Sequence, residues 1–335
     1  MGMDRATLLD IAKATDPDGR PAKTYEIINQ MSPILQDGPA YPSNAQLAER
    51  TTLRSSLPTV QFGRLNQGTV RSKGSTRQVV DTIAFVDGLS EVDCRIQEVI
   101  GTSAVNAQRM REDRAFLEAM QQLITNRILY GNELTSPEEF TGLAPRMSSL
   151  ATAITGSQVH SMAADQAVVG GDGTSIYIVD WGEDGAHFIY PRDGDATAGM
   201  KSEDHGKIYV SDADSNPMMA YVSAFTWFIG LTVKDPRHIA RLANIDVSDS
   251  GIEVPLQGQL VMKLLDIMSG MPEPNGMQRV LYTSRNVRAS FWKQALNKSN
   301  VALSIEEYHG KPTAHFMGYP IRALDQMSEA ESTVS

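Results

Sequence analysis

Residues whose side chains could do chemistry are few and scattered along this chain. Cys94 is the only cysteine, and its neighbours Asp93 and Arg95 bring no histidine beside it, which argues against a catalytic thiol. His309 and His315 are too far apart to share one helix face as a metal pair. The sequence has no phosphate loop ending in Gly-Lys-Ser/Thr, no His-Glu-x-x-His motif and no Gly-x-Ser-x-Gly elbow. We therefore predict no catalytic, cofactor-binding or metal-binding residues, no cofactor and no enzyme activity.

Two loop regions could still bind ions, but neither has a matching pattern. The glycine-rich segment 170–173 precedes a predicted strand, whereas a phosphate cradle opens a helix. The acidic region comprises Asp193, Asp195, Glu203, Asp204, Asp212 and Asp214. Carboxylate-rich loops can bind calcium, yet this spacing fits no ligand template. We interpret these acids as solvated surface and as candidate receivers for positive charge from a neighbouring molecule.

The charge pattern is most unusual between Arg50 and Val80. These 31 residues hold six basic side chains and no acidic one, in a chain of formal net charge −10. The six are Arg50, Arg54, Arg64, Arg71, Lys73 and Arg77. An extended basic segment on an acidic protein implies an acidic receiver, and another copy of the chain is a good candidate. We predict that these six residues include inter-subunit contacts.

The basic stretch has the pattern of a long β-hairpin. Thr51–Phe62 and Thr69–Val86 are rich in strand-forming residues, and the glycines and Asn66 between them provide bends. Pro58 indicates an edge strand, because proline cannot donate a ladder hydrogen bond. An isolated two-stranded hairpin is marginal in water, so this one needs an external partner.

The elements around the hairpin follow from hydrophobic periodicity. The strongest helix is predicted over Ser103–Tyr130, where apolar residues recur at three- and four-residue steps. Short helices are expected at Arg5–Ala14 and Ala22–Met31. A β segment is expected at Thr174–Val233, with a hairpin that joins Ser175–Trp181 to Ala186–Tyr190. It is followed by a short helix or turn at Arg237–Asn244.

The last hundred residues are predicted to be mainly helical. Pro255 suits the first turn of one helix, and Ser284 can cap another. A buried strand at Val280–Thr283, short strands at His315–Met317 and Tyr319–Ala323, and a polar end at Ser328–Ser335 complete this part.

Bulk composition limits the classes of protein. No window approaches the roughly 18–20 apolar residues of a membrane helix, and residues 1–10 lack a signal-peptide apolar run. We therefore expect synthesis in a cytosol-like compartment. One cysteine excludes intrachain disulfides, so rigidity must come from packing and subunit contacts.

The order of these parts resembles the major capsid proteins of tailed bacteriophages, the family with the HK97-like fold. The stretches that carry the resemblance are residues 7–13 with the stop at 16–19, Arg50–Thr52, Leu57–Val60, Leu65–Gly68, Ile176–Gly182 and Arg241–Asp246. The β segment Thr174–Val233 comes before the helices from Pro255 to Leu296. This departure from the usual order resembles the permuted-order branch of some short-tailed phages.

The resemblance implies an α+β fold of defined parts. These are an N-terminal arm (1–45), an extended β-hairpin called the E-loop (46–95), a peripheral domain (96–250) containing the spine helix (103–130) and strands, and an α/β axial domain (251–335). It implies a major capsid protein whose copies form hexamers and pentamers of an icosahedral head enclosing packaged double-stranded DNA, assembled in the host cytoplasm and located in the virion.

The resemblance also implies partners. No acidic helical scaffolding segment precedes the arm, so a separate scaffolding protein is expected. The other expected partners are a portal, a possible cementing or decoration protein and DNA that is contacted non-specifically. No membrane partner is expected. One alternative is a nucleic-acid-binding protein that uses the hairpin as a basic arm. Phe62 is the only aromatic residue in the arm, which argues against stacking on single-stranded bases. Another alternative is an enzyme with a lid hairpin.

Overall fold

The computed structural model describes residues 32–96, 102–150, 158–162, 173–192, 199–211, 215–247, 254–296, 303–308 and 311–334. The two helices predicted before residue 32 lie outside these ranges, as do Asp193, Asp195, Asp212 and Asp214.

Helices and strands alternate irregularly along the described chain. The helices are α1 (Ile34–Asp37), α2 (Thr102–Tyr130), α3 (Leu143–Arg146), α4 (Val254–Gly270) and α5 (Arg285–Leu296). The first strands are β1 (Ala40–Pro42), β2 (Ala48–Ser56), β3 (Ser75–Thr82), β4 (Ala84–Asp93), β5 (Val159–Ser161), β6 (Gly173–Trp181) and β7 (Ala186–Tyr190). The remaining strands are β8 (Met200–Ser211), β9 (Pro217–Val233), β10 (Ile239–Asp246), β11 (Gln278–Thr283), β12 (Leu303–Tyr308), β13 (Lys311–Phe316) and β14 (Tyr319–Ala323).

Most strands belong to one mixed sheet. Within the described ranges, twelve strands join it along the path β12-β13-β14-β11-β6-β7-β9-β4, with β1, β5, β8 and β10 pairing beside that path. β2 and β3 form a separate two-stranded sheet. The main sheet continues across residue 250, because β11 pairs with β6.

Helix α2 covers one face of the sheet. Ile124, Ile128 and Leu129 are fully buried against a cluster that includes Tyr177 and Val179 of β6. The helix ends at Tyr130 and is followed by Gly131, whose amide donates to the Arg127 carbonyl at 2.8 Å. A Cβ at this position would lie 2.6 Å from both the Arg127 and Phe140 oxygens, so only glycine fits. The predicted helix 103–130 thus agrees with the structure to within one residue.

Helices α4 and α5 cover the opposite face. They pack on Ile176 and Ile178, the alternate residues of β6, through apolar side chains such as Leu264 and Phe291. Ser284 caps α5 by accepting from the Val287 amide at 3.4 Å, as predicted. β6 is therefore buried along its whole length, with one face in each of two apolar clusters.

Two predicted elements are wrong. β6 and β7 do not form a hairpin, since they share only the Trp181–Ala186 bridge, in parallel sense, and β7 pairs instead with β9 and β1. The segment Arg237–Asn244 is not helical after the 3₁₀ turn Pro236–His238, because Ile239–Asp246 is strand β10. Both errors concern strands buried on both faces, whose apolar runs carry no two-residue period.

The beginning of the described chain is held against its C-terminal part. Ile34 is fully buried, and the Asp37 carboxylate accepts from the Tyr282 hydroxyl at 2.9 Å and pairs with Arg322 at 3.0 Å. Burial raises the pKa of Asp37, against the opposing effect of Arg322. Tyr41 of β1 packs edge-on to His187 of β7, with ring centroids 5.2 Å apart. The root of the predicted arm is thereby fixed to the sheet.

The segment predicted as a polar end is hydrogen-bonded to the body of the subunit. The Glu331 carboxylate accepts from Arg241 at 2.9 Å, from the Tyr130 hydroxyl at 2.5 Å and from Ser175. The side chains of Glu331 and Arg241 are only 7% and 6% exposed. Farther along, the Val334 amide and carbonyl both bond to the Asn244 side chain at 2.9 Å. Residues 328–334 therefore form a clasp across α2, β6 and β10.

Replacing Glu331 by alanine should destabilise the subunit by about 3–5 kcal/mol, because the buried Arg241 guanidinium would lose its counter-ion. Urea unfolding of unassembled subunits would measure this change. The exposed Glu183 provides the control, and Glu183→Ala should change the free energy of unfolding by less than about 0.5 kcal/mol. Equal small effects of the two substitutions would contradict the clasp.

His187 should make stability depend on pH. Burial lowers its pKa to about 4, and the nearby Lys234 acts in the same direction. The unfolded chain binds this proton near pH 6.5, so the unfolding free energy should fall as pH drops from about 6.5 towards 4. The free energy of unfolding of the His187→Gln variant, measured by urea titrations, should fall less steeply across that pH range. Parallel curves for the two proteins would refute the assignment.

Candidate inter-subunit surface

The basic stretch forms the predicted hairpin, with shorter strands than expected. β2 and β3 pair from Ala48–Thr82 to Ser56–Ser75, with a register shift between Arg54 and Ser56. Residues 57–74 between them have no regular secondary structure apart from the turn near Asn66, whose φ is 63°. We call residues 57–74 the loop tip. Two strands of eight or nine residues place it roughly 25 Å from the base of the hairpin.

The base of the hairpin is anchored by buried charge. The Asp81 carboxylate pairs with Arg146 at 2.8 Å, and the same nitrogen of Arg146 donates to the carbonyls of Thr141 and Leu231. On the facing strand, Glu49 accepts from the Asn44 amide at 2.6 Å. The acids that flank the basic stretch are therefore buried at the base, where they make other contacts and leave its cations uncompensated.

The six basic side chains have no acidic partner among the residues that the structure describes. Arg50, Arg54, Arg64, Arg71, Lys73 and Arg77 are all exposed, and none takes part in an ion pair among the described residues. The structure places them along one projecting hairpin, which presents uncompensated positive charge.

The loop tip also exposes large apolar side chains, a feature that the charge pattern does not reveal. Each of them is at least 71% exposed. They are Leu57, Val60, Phe62, Leu65 and Val70. Exposed apolar clusters of this kind mark interaction surfaces in soluble proteins. The signal was present in the sequence as five large apolar residues in a segment with no core of its own.

The acids suggested as receivers are engaged within their own subunit where they are described. Asp204 accepts from the Gly206 amide at 2.9 Å and pairs with Arg109 of α2 at 2.6 Å, and these two donors lower its pKa. Glu203 pairs with Lys201 at 2.6 Å. Asp204 thus connects β8 to the long helix.

The described side chains that could do chemistry make contacts within the fold. Burial raises the pKa of Cys94, which disfavours the reactive thiolate. Asp180 accepts from Arg279 at 2.6 Å and contacts His238 at 2.7 Å, and Arg279 also donates to the Pro272 carbonyl. In the described part of the chain, no three acidic, histidine or cysteine residues are grouped to hold a metal ion. None of the helices in the described ranges is long and apolar enough to cross a bilayer.

The described fold thus combines a long helix against a sheet, two apolar clusters and a projecting hairpin. The family model of the major capsid protein GP7 matches residues 16–335. The chain therefore belongs to that family, and it forms the head shell of a virion.

The chain is also similar to solved capsid structures. A chain of the near-atomic structure of bacteriophage Epsilon15 is 27% identical with a TM-score of 0.74, covering 100% of this chain and 98% of that chain. The bacteriophage JBD30 capsid gives 10% identity and a TM-score of 0.47, over 91% of this chain and 96% of that chain. No curated protein matches. The predicted α+β, HK97-like fold is confirmed.

Trypsin should cut free subunits in the loop tip before it cuts any other described segment, because Arg64, Arg71 and Lys73 lie there without regular structure. In assembled shells the same bonds should be protected. Mass spectrometry of the first fragments would identify the sites. Arg237, exposed within the 3₁₀ turn Pro236–His238, serves as the internal reference. Equal cleavage of the tip in both states would contradict a covered loop.

Proposed function

We propose that the protein assembles as hexamers and pentamers of an icosahedral shell, with the hairpin acting as an E-loop that lies over a neighbouring subunit. The observation that carries this proposal is the exposed surface of the loop tip. It combines exposed apolar side chains with exposed cations, and within the described ranges these cations make no ion pair. Because a soluble protein seldom leaves such a segment bare, a second copy is the natural cover.

The magnitudes assign different roles to the two kinds of side chain. An exposed ion pair contributes about 0–1 kcal/mol, whereas complete burial of a side chain such as Leu or Phe contributes about 1.5–3 kcal/mol. Leu57, Val60, Phe62, Leu65 and Val70 would therefore supply most of the affinity. The cations would fix register and reject wrong alignments, since electrostatic complementarity acts mainly on specificity.

The anchored base makes the hairpin an effective connector. Arg146 and Asp81 hold its strands to the body of the subunit, so the direction of the hairpin is set before assembly. A preorganised contact loses less entropy on binding than a free segment does. Each hairpin that docks also raises the effective concentration of the next contact, which gives multivalent closure of the ring.

We infer a structural, non-enzymatic role, with the chain divided as the resemblance implies: arm 1–45, E-loop 46–95, peripheral domain 96–250 and axial domain 251–335. The two faces of β6 support a division into a part built on α2 and a part built on α4 and α5. A separate scaffolding protein, a portal, a cementing or decoration protein and packaged double-stranded DNA are the partners that we propose besides other copies. The family and fold matches give no support to the nucleic-acid-arm alternative.

Reversing two tip charges, as Arg64→Glu with Arg71→Glu, should stop shell formation and leave the subunit folded, because both side chains are exposed and neither is ion-paired in the described part of the chain. Light scattering and negative-stain microscopy would measure assembly, and circular dichroism would measure folding.

The matched control keeps the charge, as Arg64→Lys with Arg71→Lys, and should still give shells. Normal shells from the doubly reversed protein would overturn the assignment of these residues to the subunit contact.

A further inference from the structure

The turn between α4 and β11 carries an asparagine–glycine pair. Asn275 is the only asparagine of the chain that is followed by glycine. The Met277 amide donates to the Pro274 carbonyl at 2.7 Å, which places Asn275 and Gly276 at the two central positions of the turn. Gly276 has a φ of 78°, as the second central residue of a type II turn requires. Both central residues are exposed, so the pair lies at the surface of the subunit.

The fold leaves free the two groups of this pair that can react with each other. The Asn275 side chain has an electrophilic carbonyl carbon, Cγ, and the backbone nitrogen of Gly276 is the nucleophile next to it. Among the described residues, neither the Asn275 side chain nor the Gly276 amide makes a hydrogen bond. Beyond the adjoining residues, no atom lies within 4 Å of the position that a Cβ on Gly276 would take. The nitrogen can therefore approach Cγ without steric hindrance.

We propose that Asn275 is a site of spontaneous deamidation in the folded protein, with water as the only co-reactant. The Gly276 nitrogen attacks Cγ of Asn275, and the new N–Cγ bond closes a succinimide ring. The Cγ–Nδ2 bond breaks, and the side-chain nitrogen leaves as ammonia with the proton that the Gly276 nitrogen gives up.

Water then opens the ring at either of its carbonyl carbons. Attack at Cγ breaks the N–Cγ bond and gives aspartate with an ordinary main chain. Attack at the main-chain carbonyl carbon breaks its bond to the Gly276 nitrogen and gives isoaspartate, in which the main chain runs through Cβ and Cγ. Both products carry a carboxylate where the amide was, and nothing is oxidised or reduced.

Asn66 provides a matched reference within the same chain. It is also exposed and also lies in a turn, with a φ of 63°. Its next residue is Gln67, so the attacking nitrogen would carry a side chain, and the Gln67 amide already donates to the Arg64 carbonyl at 3.3 Å. Because exposure and a turn are common to both sites, a difference in their rates would come from the glycine and its free amide.

Deamidation would change a loop that is anchored on both sides. A Cβ at Gly182 would lie 2.6 Å from Cγ of Met277 and one at Gly185 would lie 2.8 Å from its Sδ, so this methionine packs on the turn between β6 and β7. On the other side, the Pro272 carbonyl accepts from Arg279 at 2.6 Å. The reaction adds a negative charge between the two anchors, and isoaspartate also adds a main-chain carbon there.

Peptide mass spectrometry of the full-length native protein tests the proposal. The protein would be incubated in mildly alkaline buffer, which favours loss of the proton from the attacking nitrogen, with an unincubated sample as the zero point. Trypsin should release residues 264–279 with Asn275 and residues 65–71 with Asn66. The first peptide should gain the mass difference between an amide and an acid at least about tenfold faster than the second, because glycine has no Cβ to hinder the attack. Fragment ions would place the gain at residue 275.

Two controls separate this reaction from others. The same chain unfolded in guanidinium chloride should deamidate at Asn275 at a rate similar to that of the native protein, since the fold leaves the site open. The Asn275→Gln variant has its amide one carbon farther from the backbone, which disfavours ring closure, and it should show no gain. A gain in the unfolded chain but none in the native protein, or equal rates at Asn275 and Asn66, would overturn the proposal. An undiminished gain in the Asn275→Gln variant would place the reaction at Gln278 and would also overturn it.

Discussion

The structure depends on a single strand that has no exposed face. β6 packs Tyr177, Val179 and Trp181 against the spine helix side, and Ile176 and Ile178 against helices α4 and α5. A strand enclosed in this way must also satisfy every backbone group through its neighbours, since water cannot reach it. β10 and β11 supply those hydrogen bonds, and their own positions then decide where the remaining elements can pack.

The hairpin is built on the opposite principle. Apolar side chains that would stabilise a core are instead carried on residues 57–74, outside any core. Buried charge lies where the body needs rigidity, at Arg146 and Asp81 and again at Arg241 and Glu331. Exposed charge lies where the hairpin needs selectivity. The subunit thus gives up part of its own stability and keeps that apolar surface for contacts between copies.

Much of this architecture could be predicted from the sequence where a local pattern existed. The spine helix, the helix beginning near Pro255 and the Ser284-capped helix each show a helical period with a start or stop signal. Strands buried on both faces have no such period, which is why the β6–β7 hairpin and the helix or turn at Arg237–Asn244 were wrong. Glu331 gave no signal, because a glutamate in a polar segment looks the same whether it meets solvent or a buried arginine. The pairing of β4 with β9 joins strands more than a hundred residues apart, and no local rule reveals it.

The link between Asp37 and Tyr282 has a kinetic consequence. Residues 245 positions apart must meet before the root of the arm is fixed, and the sheet itself pairs β6 with strands near residues 240 and 280. Chains dominated by such distant contacts fold slowly, because the entropy of closing long loops is lost before the contacts can repay it. A new subunit should therefore spend an extended time incompletely folded, with its apolar tip already exposed. In that interval aggregation through the exposed apolar tip competes with assembly.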